Sequence, residues 1–246
     1  MKNKIWIVGM GPGDENQMTG RAINVLEHVD VIVGYTVYLK LLGERFSGKK
    51  MLSTPMRQEV ERCKMCFEEA QKGNCVAMIC SGDAGVYGMA SLMYEIGEAY
   101  PQVELEVVPG ITAANSGAAM LGAPLNHDYC VISLSDLMTT WALIEKRLLM
   151  AAKGDFAIAL YNPSSCKRVD YLEKACQILA QEIEPERPCG YVENIGRADS
   201  KIITCTLAEL EEAKVNMFTT AFIGNSQTRM IDGKLITPRG YQPKIL

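Results

Sequence analysis

Short apolar runs that pass straight into glycine-bearing loops recur along the first half of the chain. Residues 5–8 enter "GMGPGD", residues 76–79 enter "CSGDAGVYG" and residues 103–108 enter "PGITAANSG"; residues 31–33 read as a further strand. Between these runs Thr19 can cap a helix carrying Ala22, Val25 and Val29 on one face, and Ala90, Met93 and Ile96 mark another helix. Strand, helix and strand in repetition predict a mostly parallel sheet with helices on both faces. The rhythm pauses near residues 122–125, and a second series follows. Strands are expected at residues 129–134, 155–161, 190–192, 201–204 and 220–223, and helices at 141–150 and 168–180. The later strands are short and closely spaced, which predicts a mixed sheet. The expected organisation is α/β, with two domains at residues 1–123 and 124–246 and a cleft between them.

A length of 246 residues suffices for two modest cores, and 48% apolar with 22% charged residues is the balance of an ordinary globular protein. The net charge of −4 and the lack of a dense Lys/Arg stripe exclude nucleic acid as a partner. Neither a signal-peptide layout nor a long apolar span is present, so a cytoplasmic protein without membrane contact is expected. Nine cysteines are then expected as reduced thiols. Cys63 and Cys66 form a C-x-x-C, which elsewhere serves redox chemistry or metals. Met56, Val60, Cys63, Phe67 and Ala70 instead repeat at helical spacing, so these thiols read as core and no metal site is expected.

The first loop is not built for phosphate. A dinucleotide fingerprint G-x-G-x-x-G would need its third glycine at Asp14 or Asn16, and no P-loop string occurs. Asp14 and Glu15 would repel a pyrophosphate, and the following helix starts late, near Thr19. Such a loop suits close backbone approach to a ligand without phosphates. In open α/β sheets, loops at the carboxyl ends of strands build the binding crevice, and here three of them follow strands of one sheet.

"VGMGPGD", "SGDAGVYGMAS" and "VPGITAANSGAAMLGAPL" resemble the signature loops of the tetrapyrrole methylases, S-adenosylmethionine-dependent enzymes of cobalamin and sirohaem synthesis. "SLSDLMTTW" (133–141), "LYNPSSCKR" (160–168), "ENIGR" (193–197) and "IGNSQTR" (223–229) resemble the branch that methylates C17 and contracts the ring, acting on precorrin-3B or cobalt-factor III. The similarity spans nearly the whole chain. It implies a homodimer of two-domain subunits with the methyl donor in the interdomain cleft. By family pattern the donor would meet Pro12, then Ser81, Gly82, Asp83 and Val86, then Thr112 and Ala113, and Asn162 in "YNP". Gly224 and Asn225 would line the same cleft, and Gly196 is a further candidate.

S-adenosylmethionine carries a sulfonium, an ammonium, a carboxylate and an adenosine, which fits loops that lack a phosphate cradle. Asp83 could accept from a ribose hydroxyl or the ammonium, or serve as a turn or cap residue. Thr112 could likewise cap the next helix. Methyl transfer to carbon needs alignment rather than a nucleophilic side chain. Ring contraction invites general acid–base help, for which Asp136 is the first candidate; a helix N-cap explains Asp136 equally well. Tyr35 and Tyr38 could stack on the tetrapyrrole or simply pack. Lys167, Arg168, Arg197 and Arg229 are the cations placed to receive substrate carboxylates. His127 is a lone histidine near the domain junction. Abundant Cys and Met favour the cobalt-containing substrate. The alternatives are a sibling methylase acting at another ring carbon, a nicotinamide oxidoreductase disfavoured by the missing glycine, and a non-catalytic corrinoid- or donor-binding module.

Overall fold

A computed structural model describes residues 3–165 and 167–241. It divides into two compact units, Met1–Ala113 and Ala114–Leu246. The first contains β1 (Lys4–Gly9), α1 (Gly20–His28), β2 (Val31–Tyr35), α2 (Thr36–Leu39), β3 (Lys50–Thr54), α3 (Glu59–Gln71), β4 (Val76–Cys80), α4 (Ala90–Gly97) and β5 (Glu104–Val108). Its strands form one parallel sheet in the order β3-β2-β4-β1-β5. β1 is central, pairing Ile5 with Val76 and Gly9 with Cys80 on one side and Ile5 with Leu105 on the other. Helices cover both faces, so β4 is buried along its whole length. Ile5, Ile7, Phe67, Met78 and Met93 pack one face, and Val8, Leu26, Ile32, Phe46 and Ile79 the other.

Thr19 caps α1 as expected, its side chain accepting from the Ala22 N–H at 3.1 Å. The sequence pattern omits β3. "KMLST" is an edge strand with mixed exposure and lacks the apolar run that betrays a central strand. The buried face of α3 is also rotated from expectation. Cys63, Cys66, Phe67 and Ala70 are buried with Arg62 and Glu69, whereas Met56 and Val60 are exposed. A residue of positive φ, Arg57, breaks the chain after Met56, so Met56 precedes the helix instead of sharing its face.

The second unit comprises α5 (Ala113–Leu121), β6 (Gly122–Ala123), β7 (Tyr129–Ser133), α6 (Trp141–Lys153), β8 (Ala157–Tyr161), α7 (Tyr171–Leu179), β9 (Pro188–Glu193), β10 (Lys201–Thr206), α8 (Leu207–Glu212), β11 (Thr219–Ile223), β12 (Arg229–Ile231) and β13 (Lys234–Ile236). The division precedes the expected boundary at residue 123 because α5 belongs to the second core. Gly117 lies so close to Phe222 that a Cβ there would sit 2.8 Å from its ring, and β6 pairs with β13. The main sheet is mixed, in the order β10-β9-β11-β8-β7; only β7 and β8 are parallel. α8 and the β12–β13 hairpin were not legible in the pattern; α8 is held by a reciprocal cap between Thr206 and Glu209. Among the described residues no helix is long and apolar enough to cross a membrane.

Candidate functional site

The parallel sheet places the loops after β1, β4 and β5 at one edge, and β1 lies between β4 and β5. Their backbones then come into direct contact. A Cβ on Gly9 would lie 2.6 Å from the Gly110 nitrogen and 2.8 Å from the Gly82 carbonyl oxygen. Gly11 and Gly82 exchange two backbone hydrogen bonds: Gly82 N–H donates at 2.7 Å and Gly11 N–H at 3.1 Å. Both residues adopt positive φ, +75° and +67°, which glycine reaches without a Cβ penalty.

Asp83 completes the assembly. Its Oδ1 accepts from the Gly85 N–H at 2.8 Å, and its Oδ2 accepts from the Gly110 N–H at 2.9 Å. The carboxylate therefore ties the second loop to the third, and its contact two residues on is the turn role expected of Asp83. Pro12 and Gly82 are buried within this junction, while Ser81, Val86, Thr112 and Ala113 are half-buried around it. No Lys or Arg occurs in residues 9–14, 81–88 or 109–114. The loops offer backbone N–H and C=O groups and the carboxylates of Asp14 and Asp83 but no cationic side chain, a lining suited to a ligand with hydrogen-bonding groups and no need of a counter-cation.

Beside Ser81 a cavity of about 230 Å³ opens in the first unit, with Tyr35, Tyr38, Arg62 and Tyr87 in its walls. Tyr35 and Tyr38 meet edge to face with centroids 5.1 Å apart. The structure thus brings both tyrosines to the loop edge. Tyr87 was missed by the sequence reading although it stands within "SGDAGVYG". It is 56% exposed and held at φ +53°, an unusual conformation for a bulky residue.

In the second unit the carboxyl ends of β7 and β8 gather a second group. Asn162, at φ +55°, donates from Nδ2 to Ser133 Oγ at 2.9 Å, and the Ala114 N–H donates to the Tyr161 hydroxyl at 2.7 Å. Asp136 lies here too, and the N-cap reading is corrected: α6 begins after Thr140. The Tyr171 hydroxyl donates to Asp136 Oδ2 at 2.6 Å, and Arg168 forms an ion pair with Asp136 Oδ1. The Tyr171 hydrogen bond, with the Arg168 charge beside it, holds the Asp136 carboxyl below the usual carboxylate range, and Asp136 pushes the Tyr171 phenol up. At neutral pH Asp136 is therefore a carboxylate engaged by two partners, and Arg168 is a committed cation.

Register places the remaining candidates. β9 ends at Glu193 opposite Thr219, so Gly196 and Arg197 lie at the same end of the sheet as Asn162. Arg197 stacks over Phe218 with its guanidinium 4.2 Å from the ring, and its buried Nε has no hydrogen-bond partner. Gly224 and Asn225 are not brought to that end. β11 runs antiparallel to β8 and pairs Ile223 with Ile158, which puts them beside Asp155, roughly 16 Å along the strand from Asn162. Asn225 is buried, and its Oδ1 accepts from the Gln227 N–H at 3.0 Å and the Thr228 hydroxyl at 3.2 Å. The expectation that this pair shares a cleft with Asn162 is corrected by that strand direction. Lys167 is exposed on the loop after β8, and Arg229 is exposed on the β12–β13 hairpin. His127 is exposed before β7, at the far end of that strand from Ser133. Cys63 and Cys66 are buried beside Phe67, and burial pushes Cys63 up to about 12 and Cys66 well above its ordinary value. Thiols so protonated are packing groups.

Two α/β units, one with cation-free glycine loops pinned at the edge of a parallel sheet, define a class of small-molecule-binding fold. The family described as Tetrapyrrole (Corrin/Porphyrin) Methylases matches residues 4–211. A cobalt-factor III methyltransferase of Priestia megaterium is 43% identical over 99% of this chain, which spans about half (46%) of that longer protein. A probable cobalt-factor III C(17)-methyltransferase of Salmonella typhimurium is 42% identical over 96% of this chain and 98% of its own length. The crystal structure of the methyltransferase CobJ superposes with a TM-score of 0.88 at 36% identity, covering 95% of this chain and 99% of that one. The chain belongs to the tetrapyrrole methylase family and is a methyltransferase.

Proposed function

We propose that the protein transfers a methyl group from S-adenosylmethionine to C17 of a cobalt-factor III-type tetrapyrrole, with contraction of the macrocycle, in cobalamin biosynthesis. The observation that carries this reading is the cation-free junction of three loops locked by Asp83 and the Gly9–Gly82–Gly110 contact. Its chemistry fits the donor: backbone amides and carbonyls can meet adenosine and ribose, and the loops themselves bring no Lys or Arg. Pro12, Ser81, Gly82, Val86, Thr112 and Ala113 hold the donor in the first unit; Asn162 and Gly196 are the donor contacts of the second. S-adenosylmethionine supplies an electrophilic methyl group when bound. Asp83 keeps the loops at fixed spacing, so the donor is oriented before the macrocycle arrives, and such positioning is worth several kcal/mol of barrier. Tyr35 and Tyr38 face the macrocycle, and Arg197 and Lys167 receive its peripheral carboxylates, whereas Arg229 lies with Gly224 and Asn225 at the other end of the sheet and does not.

Asp136 is held as a carboxylate, so it orients Arg168 and Tyr171 and does not deliver a proton. Identities of 42–43% to two cobalt-factor III enzymes support the cobalt-containing substrate over precorrin-3B. The protein acts as a cytoplasmic homodimer. Incubation with S-adenosylmethionine and either cobalt-factor III or precorrin-3B, followed by mass and NMR analysis, tests the reaction, and light scattering tests the dimer. The expected product is a C17-methylated, contracted macrocycle from cobalt-factor III. Methylation at another carbon, or donor binding without turnover, would refute the assignment.

A further inference from the structure

Arg62 on α3 is only 4% exposed, yet it carries no ion pair among the described residues. Its Nε donates to Thr54 Oγ1 at 3.0 Å and its Nη2 to the Pro55 carbonyl at 3.0 Å, both neutral acceptors. Nη1 has no protein acceptor among those residues. None of the α3 carboxylates pairs with it: Glu69 holds Lys50 and Lys72, and Glu59, in the wall of the same cavity, accepts from the Arg57 N–H. The other buried arginine, Arg187, is by contrast matched by Glu184 and Asp155. A desolvated guanidinium held only by neutral acceptors is costly, and an arriving anion would offset that cost.

The guanidinium lies 5.7 Å from the Tyr35 ring centroid, in the wall of the cavity shared with Tyr38, Ser81 and Tyr87. At about 230 Å³ the cavity is smaller than sites for drug-sized ligands. That size suits a small acid arm and not a whole macrocycle. Two tethers fix the guanidinium plane, which leaves one edge preset for a carboxylate. We propose that Arg62 is a specificity residue that receives one peripheral carboxylate arm of the tetrapyrrole in this cavity, anchoring the macrocycle beside the donor loop at Ser81. The proposal rests on the tetrapyrrole reading above. The donor's own carboxylate shares this chemistry, and the test separates the two.

R62Q removes the charge, R62K keeps it without the fork, and M56E adds a second carboxylate to the cavity wall beside Glu59 without touching either tether. S-adenosylhomocysteine affinity is read by calorimetry and tetrapyrrole KM by turnover. The expected result is a rise in tetrapyrrole KM of about 10- to 100-fold in R62Q and M56E, less in R62K. Affinity for S-adenosylhomocysteine should stay within about twofold. Should R62Q fail to fold, M56E decides alone. An unchanged tetrapyrrole KM in M56E and in any folded Arg62 variant overturns the proposal. So does a loss of S-adenosylhomocysteine affinity with KM unmoved, which would assign the donor's carboxylate to the cavity. If the wild type turns over no tetrapyrrole, the functional reading fails and this proposal falls with it; normal wild-type turnover with an indifferent R62Q removes Arg62 alone.

Discussion

Replacing Gly9 by alanine tests the loop junction with one methyl group. Gly9 is not held at positive φ, so the effect is steric and carries no backbone strain. The new Cβ would stand 2.6 Å from Gly110 N, 2.8 Å from Gly82 O and 2.9 Å from Gly110 Cα, all backbone atoms that cannot rotate away. Ordinary contact begins near 3.4 Å, so relief requires a displacement of about 0.8 Å. A shift of that size at Gly110 N is enough to break its 2.9 Å bond to Asp83. Overpacking costs about 1–3 kcal/mol and loss of a hydrogen bond to a charged group about 1.5–3 kcal/mol. Together they remove roughly 3–5 kcal/mol, a large share of the ~5–15 kcal/mol stability of a folded domain. For a chain of this size that corresponds to a fall in melting temperature of roughly 10 °C. Affinity for S-adenosylhomocysteine should fall at least tenfold, since each ~1.4 kcal/mol is a factor of ten. Gly20→Ala is the control: nothing lies within 4 Å of its Cβ, and it opens α1, so it should match or slightly exceed wild-type stability. Thermal melting and calorimetry on both variants settle the matter. A Gly9→Ala protein that melts and binds like the Gly20→Ala control would refute the reasoning about converging loops.

Asp83→Asn replaces one acceptor oxygen by a donor facing an N–H, so S-adenosylhomocysteine affinity should drop about tenfold while the fold persists, as read by calorimetry and circular dichroism. Glu69 is held down to about 2, against an ordinary 4.5, first by Lys72 and then by Lys50. Its depressed value means stability is present above about pH 4.5 and lost as pH falls toward 2; Glu69→Gln should flatten that acid slope in melts from pH 6 to 3 and lower stability at neutral pH. Cys63 and Cys66 should resist iodoacetamide in the native protein at pH 8 and react only as fast as the first unit opens, which rapid labelling of the folded enzyme would contradict. Asn225→Ala should destabilise the second unit by about 1–3 kcal/mol without weakening S-adenosylhomocysteine binding, whereas Asn162→Ala should weaken binding with little change in melting.

The first unit was largely legible because a parallel sheet translates sequence into place. Each strand of "KIWIVG", "VAMIC" and "ELEVV" points the same way, so every following loop reaches the same edge, and the order of glycines in the chain foretells their convergence. What was lost there is what periodicity cannot weigh. β3 lacks a buried run because it is an edge, and Met56 falls in step with α3 yet lies beyond the Arg57 turn. Arg62 and Glu69 were invisible as buried residues because charge normally marks a solvated face; their burial depends on Thr54, Pro55, Lys50 and Lys72, which the fold delivers from other elements.

In the second unit the same inference fails for a topological reason. Antiparallel neighbours send successive loops to opposite ends, so "YNP" after β8 and "GN" after β11 cannot share an end, however alike they look as strand-to-loop motifs. Strand direction is fixed by pairing partners far apart in the chain, and no local pattern encodes it. "ENIGR" escapes because β9 is antiparallel to β11 in turn, and two reversals restore the end occupied by Asn162. The residues that collect there, Ser133, Asp136, Tyr161, Asn162, Arg168 and Tyr171, come from the parallel pair β7 and β8 and the start of α7. The second unit thus gathers its candidate chemistry at the one sheet end reached by β7, β8 and β9, whose strands run the same way, and β11, which runs against them, carries its loop to the other.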